Sequence, residues 1–172
     1  MKPQSALTIR PEQPTDVEAI THLTQAAFAT MPYASHTEQF IITALRRRAQ
    51  LAVSLVALEA NDLVGHVAIS PVSISTGAVG WYGLGPLSVA PARQRHGIGT
   101  QLVRAALVAL QQQQAQGCML LGDPAYYGRF GFRPEAALAL PGVPPAYFQV
   151  LLFTDTVPTG TVRFDAAFEA KA

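Results

Sequence analysis

One stretch of this sequence has residue types and spacings that could bind an anion and do chemistry beside it. Leu87-Ser88-Val89-Ala90-Pro91 runs into Arg93-Gln94-Arg95-His96-Gly97-Ile98-Gly99-Thr100, which opens a long helical pattern. Gly97 and Gly99 carry no Cβ, so the backbone there can come close to a ligand. The first N–H groups of a helix lack internal partners and sit at the positive end of its dipole. Together these make a cradle suited to a pyrophosphate, and Arg93 and Arg95 add positive charge nearby.

Two familiar phosphate sites fail on residues. The dinucleotide fingerprint needs a third glycine three residues after the second, and that residue is Leu102. The P-loop needs Gly-Lys-Ser/Thr, and the lysines here are Lys2 and Lys171.

The elements that must position this cradle follow from period and punctuation. Ala6–Arg10 reads as a short strand. Thr15 and Glu18 are spaced as a capping box before a helix running to about Thr30. Ser35 and Glu38 repeat that spacing before a second helix, with Arg46, Arg47 and Arg48 in its last turn. Val53, Leu55 and Ala57 alternate, as do Val64, His66, Ala68 and Ser70, with Asn61-Asp62 between them, which predicts a β-hairpin. A third run spans Ala78 to Val89, and a helix is expected over Gly97–Gln116. Cys118–Leu121 reads as a strand and Pro124–Phe130 as a short helix capped by Asp123. Extended segments follow from Phe132 and over Ala146–Phe153, and Val162 and Phe164 suggest an edge strand. This order predicts an α/β domain around one sheet.

Composition sets the class. The chain has 172 residues and a mass of 18.3 kDa, 49% hydrophobic and 13% charged, which suits one domain over residues 1–172 with a real core. The net charge of +1 argues against a dedicated nucleic-acid binder. A single cysteine, Cys118, excludes an intramolecular disulfide framework and argues against a cysteine-built zinc site, so no metal is expected. Met1–Arg10 has no apolar run of the secretory kind, and no stretch approaches the roughly 20 apolar residues of a membrane span. A cytoplasmic protein is the expectation.

Gln94-x-x-Gly97-x-Gly99 after a strand ending Leu87-Ser88-Val89-Ala90-Pro91 resembles the coenzyme A signature of the GNAT superfamily of N-acetyltransferases. Tyr127-Gly128-Arg129-Phe130-Gly131-Phe132 is similar to that superfamily's Tyr-x-x-x-Gly-Phe segment, at a distance that fits one helix and one strand. Asn61-Asp62-Leu63-Val64-Gly65 is similar to the hairpin preceding its cofactor strand, and Leu84-Gly85-Pro86-Leu87 together with Gly122-Asp123-Pro124-Ala125-Tyr126-Tyr127 resembles a bacterial branch of it. The resemblance covers Leu7 to at least Phe153. It implies a single-domain GNAT-like fold with a mixed central β-sheet flanked by helices. It also implies acetyl-CoA as co-substrate and direct attack by an amine on the thioester. A tetrahedral oxyanion then forms and the CoA thiolate leaves. Leu87, Ser88 and Val89 would pair with the pantetheine arm, and a backbone N–H near Val89 would polarise the carbonyl. Gln94, Arg95, His96, Gly97, Ile98, Gly99 and Thr100 would hold the pyrophosphate. Tyr126 would form part of the cofactor wall. Tyr127 matches the tyrosine that protonates the leaving thiolate; a phenol has an ordinary pKa of about 10, a thiol about 8.5.

The chain departs from the superfamily in two places. Where many members carry His or Glu on the cofactor strand, this chain has Gly85 and Gly83. Where others have an Asn after the next strand, Asp123 would substitute. Deprotonation would then run through water or through His66, Tyr82 or Glu59, or the amine would arrive neutral. An acyl-CoA-binding sensor without turnover is the alternative function. The acceptor is an unidentified amine, with loops near Met31–Thr37 and Pro141–Tyr147 shaping its pocket. A homodimer is a common assembly in the superfamily.

Overall fold

The computed structural model describes residues 5–172. Part of the Met1–Arg10 stretch, residues 1–4 with Lys2 among them, lies outside the described residues. The main elements are β1 (Leu7–Pro11), α1 (Val17–Phe28), α2 (Glu38–Arg47), β2 (Val53–Glu59), β3 (Asp62–Pro71), β4 (Ser73–Ile74), β5 (Trp81–Val89) and α3 (Ile98–Gln112). They continue with β6 (Gly117–Leu121), α4 (Pro124–Tyr127), β7 (Leu138–Ala139), β8 (Phe148–Leu152) and β9 (Gly160–Arg163).

The expected hairpin is present. β2 and β3 pair antiparallel up to Glu59 opposite Asp62, and the two turn residues, Ala60 and Asn61, have φ of 48° and 68°. Positive φ at both turn positions matches the right-handed twist of the strands, and Asn tolerates it better than most residues. Alternation along β3 sends Val67 and Ile69 to one face of the sheet, where they meet Leu102, Val103, Ala106 and Leu110 of α3. On the other face Val56 packs with Ile20 of α1 and Ile42 of α2. Each Val, Leu or Ile side chain among them contributes roughly 1.5–3 kcal/mol by leaving water, so the two helical layers clamp the strands between them.

Both capping predictions shift. A 3₁₀ turn over Pro14–Asp16 precedes α1, so Asp16, not Thr15, does the capping: its carboxylate accepts the Gln13 N–H at 2.7 Å and is held by Arg10 at 2.7 Å. At α2, Glu38 accepts the Ser35 N–H at 2.9 Å as the pattern predicts, but the Ser35 hydroxyl donates to the same carboxylate at 3.1 Å instead of capping a helix N–H. β5 starts at Trp81 rather than Ala78, after Gly80 at φ 84°. α3 stops at Gln112, short of Gln116, and Gln114 at φ 61° turns the chain into β6.

The expectation of one sheet is corrected. A six-stranded sheet runs β1-β2-β3-β5-β6-β8, and a separate three-stranded sheet runs β4-β9-β7. The tail strand β9 is therefore not an edge of the main sheet. Val162 on β9 joins Ile74, Trp81, Leu138, Phe148 and Val150 in a second apolar cluster, and burying it there decides where the tail docks. Among the described residues no helix is long and apolar enough to cross a membrane.

β5 and β6 are a parallel pair joined over a short span, from Trp81–Gly117 to Gly83–Met119. At its start a Cβ on Gly117 would collide with the Leu151 carbonyl oxygen and the Trp81 ring. Backbone cannot yield as a flexible side chain can. Gly117→Ala is expected to destabilise the protein by about 1–3 kcal/mol, read as a lower urea midpoint. Gly128→Ala, at φ −56° with open space around it, is expected to be neutral or stabilising by up to about 1 kcal/mol.

Candidate active site

Beyond Gly83 the strands β5 and β6 part. On its other side β5 stays paired with β3, but three residue steps from Leu84 to Leu87 face two from Ile69 to Val67, a bulge centred on Gly85-Pro86. Among the described residues the β6-side edge of β5 from Leu84 to Val89 is thus without a strand partner, and an unpaired edge presents N–H and C=O groups for an added strand-like ligand. The opening is a cleft of about 680 Å³.

The cleft continues into the start of α3. Arg95 and Gly97 have φ of 65° and 81°, left-handed values of the kind that build the concave, anion-binding turns made of successive N–H groups. The first intrahelical bond runs from Gln101 N–H to Gly97 O at 3.1 Å, which leaves the N–H groups of Ile98, Gly99 and Thr100 without helical acceptors. Gln94 ties the turn to the strand by donating from its side-chain amide to Val89 O at 3.2 Å. Arg93 forms a bidentate pair with Glu59 at 2.9 and 2.6 Å. The Arg93 guanidinium holds the Glu59 carboxyl below its usual range.

The third wall is α4. Asp123 caps it by accepting the Ala125 N–H at 2.9 Å, as the sequence predicts. Tyr126 reaches across to α3, its hydroxyl 3.1 Å from Thr100 Oγ1, and a Cβ on Gly99 would lie 3.4 Å from that hydroxyl. Arg129 stacks 4.4 Å above the Tyr126 ring and donates from Nε to Tyr126 O at 2.9 Å. The Tyr127 ring lies over Gly122, edge-on to Tyr126 at 4.8 Å and to Phe132 at 6.1 Å. Burial pushes its phenol up to about 12, with the neighbouring Tyr126 hydroxyl adding to the shift.

The cleft brings together most of the residues singled out in the sequence. Leu87 and Val89 line it, as do Gln94, Arg95, the run Gly97-Ile98-Gly99-Thr100, and both tyrosines. Ser88, His96 and Asp123 do not line it. Ser88 alternates to the opposite face of the sheet and is buried, whereas His96 is exposed, its ring Nδ1 2.8 Å from Gln94 O. Met31 lines the cleft from the loop expected to shape the acceptor pocket; Pro86 and Arg129 lie within motifs read from the sequence but carried no role there, and Phe28 and Leu121 join the wall without having been singled out. Phe28 closes an ordinary amphipathic helix, so only the fold reveals where it points. Pro86, inside a strand pattern, was a legible sign of a bulge.

None of the three candidate bases lies on the cleft wall among the described residues. Glu59 is paired with Arg93. Tyr82 packs on the core beside Cys118 of β6. His66 is fully buried, its Nε2 2.8 Å from Ser54 Oγ, and desolvation pushes it down to about 3, with the Arg46 charge adding to the effect.

A family profile described as "Acetyltransferase (GNAT) domain" matches residues 8–134. The chain is 33% identical over 170 residues to a protein of Escherichia coli (strain K12) named uncharacterized N-acetyltransferase YhbS, covering 94% of this chain and 98% of that one. Two solved structures resemble it over nearly their whole length. A GNAT family acetyltransferase from Brucella melitensis in complex with acetyl-CoA is 45% identical, with a TM-score of 0.85 over 95% of this chain and 99% of the other. Escherichia coli YhbS in complex with CoA is 30% identical, with a TM-score of 0.88 over 100% of this chain and 97% of the other.

His66 allows a measurement that needs no substrate. Its folded pKa of about 3 lies below the ordinary 6.5. The unfolded chain therefore binds the extra proton between those values, and stability falls as pH falls through that window. Between pH 7 and pH 5 the loss is expected to be about 2 kcal/mol. His66→Gln should flatten the pH dependence of the urea midpoint in that interval.

Proposed function

The chain belongs to the acetyltransferase (GNAT) domain family, and on that footing we propose that its cleft binds acetyl-CoA and passes the acetyl group to an amine. The observation that carries this is continuity. The unpaired edge of β5 and the glycine-relaxed start of α3 line one cleft, and Tyr127 stands in the same opening. An extended pantetheine arm fits beside Leu84–Val89 as an added strand would. The pyrophosphate fits the N–H groups of Gly97–Thr100, with Arg95 beside them and Tyr126 as wall. In this reading Ser88 contributes only backbone, since its side chain faces away, and His96 and Asp123 act by shaping the turn and capping α4.

Bound acetyl-CoA supplies an activated acyl group. The Val89 N–H polarises its carbonyl where negative charge develops. As the nitrogen–carbon bond forms and the carbon–sulfur bond breaks, one proton leaves the nitrogen and one arrives on sulfur. Tyr127 donates to that sulfur. A phenol raised to about 12 is a weaker acid than the roughly 8.5 of a free thiol, so its main service is a hydrogen bond always available to the leaving group. The same reading takes residues 1–172 as one catalytic domain acting in the cytoplasm on a small amine or peptide amine, with a homodimer as its assembly.

Thiol release from acetyl-CoA across a panel of amines tests the reaction. Amine-dependent release is expected; tight CoA binding without it would make the protein an acyl-CoA sensor. Tyr127→Phe is expected to lower kcat about 100-fold or more while KM for acetyl-CoA changes little. Gly99→Val, which fills space against Tyr126 and Val89, is expected to weaken CoA binding in calorimetry by about tenfold or more.

A further inference from the structure

We infer that the acceptor is an arylamine or a similarly weakly basic amine on a flat apolar body, neutral when it enters the cleft. The inference rests on the acetyl-transfer reading above. Among the described residues every charged side chain on the cleft wall is an arginine: Arg93, Arg95 and Arg129. Among the described residues no carboxylate lies on that wall. Glu59 pairs with Arg93 at 2.6 Å, Asp123 accepts the Ala125 N–H and Glu135 the Ala137 N–H, while Glu38, with one oxygen turned to Ser35 and the other buried without a partner, lies off the wall. The remaining titratable groups on the wall, Tyr126 and Tyr127, are phenols.

An alkylamine approaches such a wall as an ammonium, and two problems follow. Among the described residues no carboxylate on the wall receives it. It must also shed a proton before its lone pair can attack, yet Glu59, His66 and Tyr82 all lie off the wall. At pH 7 an alkylamine of pKa about 10.4 is neutral in fewer than about one molecule in a thousand. A nitrogen whose lone pair is delocalised into a ring carries no proton at that pH and meets neither of these problems. The wall away from the arginines also fits a ring, since Phe28, Met31, Leu84, Pro86 and Leu121 give it apolar surfaces and a thioether that suits aromatic contact. The balance is that of any amide formation from a thioester: nitrogen gains the acyl carbon and loses one proton, and sulfur loses the carbon and gains one.

The test uses the whole protein with acetyl-CoA and three acceptors: p-anisidine, benzylamine and spermidine. The kcat/KM at pH 7 is expected to be at least about tenfold higher for p-anisidine than for benzylamine, and to stay nearly flat with pH, while benzylamine climbs about tenfold per pH unit. Met31→Glu puts a carboxylate on the wall and should shift the ratio toward benzylamine by about fivefold or more. A preference for benzylamine or spermidine at pH 7 would overturn the inference and leave acetyl transfer standing. Absence of thiol release with every amine, CoA still binding, would take the transfer reading down with it.

Discussion

Everything at this site depends on two neighbouring strands that pair briefly and then separate. β5 and β6 share a ladder only from Trp81 to Gly83. Past that point the backbone groups of Leu84–Val89 face an opening, and buried peptide groups need partners. The sheet holds this edge rigidly because β5 remains paired with β3 on its other side, to Val89 opposite Gly65. α3 packs beneath both strands, and a Cβ on Gly65 would fall within 2.8 Å of Leu102 and 3.1 Å of Ile98. The half-open strand is thus fixed by close packing rather than by flexibility, so a ligand that adds to it finds the groups already aligned.

Charge is distributed with the same economy. The chain is nearly neutral, with 12 basic and 11 acidic residues. Several charges form structural pairs away from the opening, Arg10 with Asp16, Arg46 with Glu12 and Arg48 with Asp165. Arg93 with Glu59 braces the turn that carries the anion cradle. What remains facing the cleft is positive. A sequence-wide charge of +1 hides this local field, which depends on which carboxylates the fold has already occupied.

That difference marks what could be read from the chain and what could not. The hairpin at Asn61, the α3 start with its two glycines and the Asp123 cap are local, and each is written in residues a few positions apart. Tyr127 belonged to a short pattern, and so it too was legible. The second sheet was not, because β4, β7 and β9 are short and are specified by the long-range burial of Val162 against Ile74 and Leu138. His66 shows the limit most clearly. Its alternating position identified an inward-facing histidine, but only packing between Val56 and Ser88 on the neighbouring strands shows that it faces core and not cleft. Side chains of α1 and its loop, Phe28 and Met31, reach the cleft through the helix's packing angle, which no spacing encodes.

The absence of a base from the wall becomes intelligible once the acyl donor is considered. A thioester is already an activated acyl group, so the protein has less barrier to lower than an amide-forming enzyme starting from a free acid. On the proposed reading, hydrogen bonds aimed at developing charge, from the Val89 N–H and from Tyr127, would supply electrostatic stabilisation of the kind that is often the largest single contribution. Burial keeps Tyr127 protonated up to about 12, so this donor is present across the physiological range without any neighbouring acid to maintain it. Among the described residues no Asp, Glu or His stands on the wall to deprotonate the nucleophile. On the acetyl-transfer reading, selection among amines would follow their own basicity, because a nitrogen that arrives charged finds no carboxylate on the wall, among the described residues, to receive it or to take its proton.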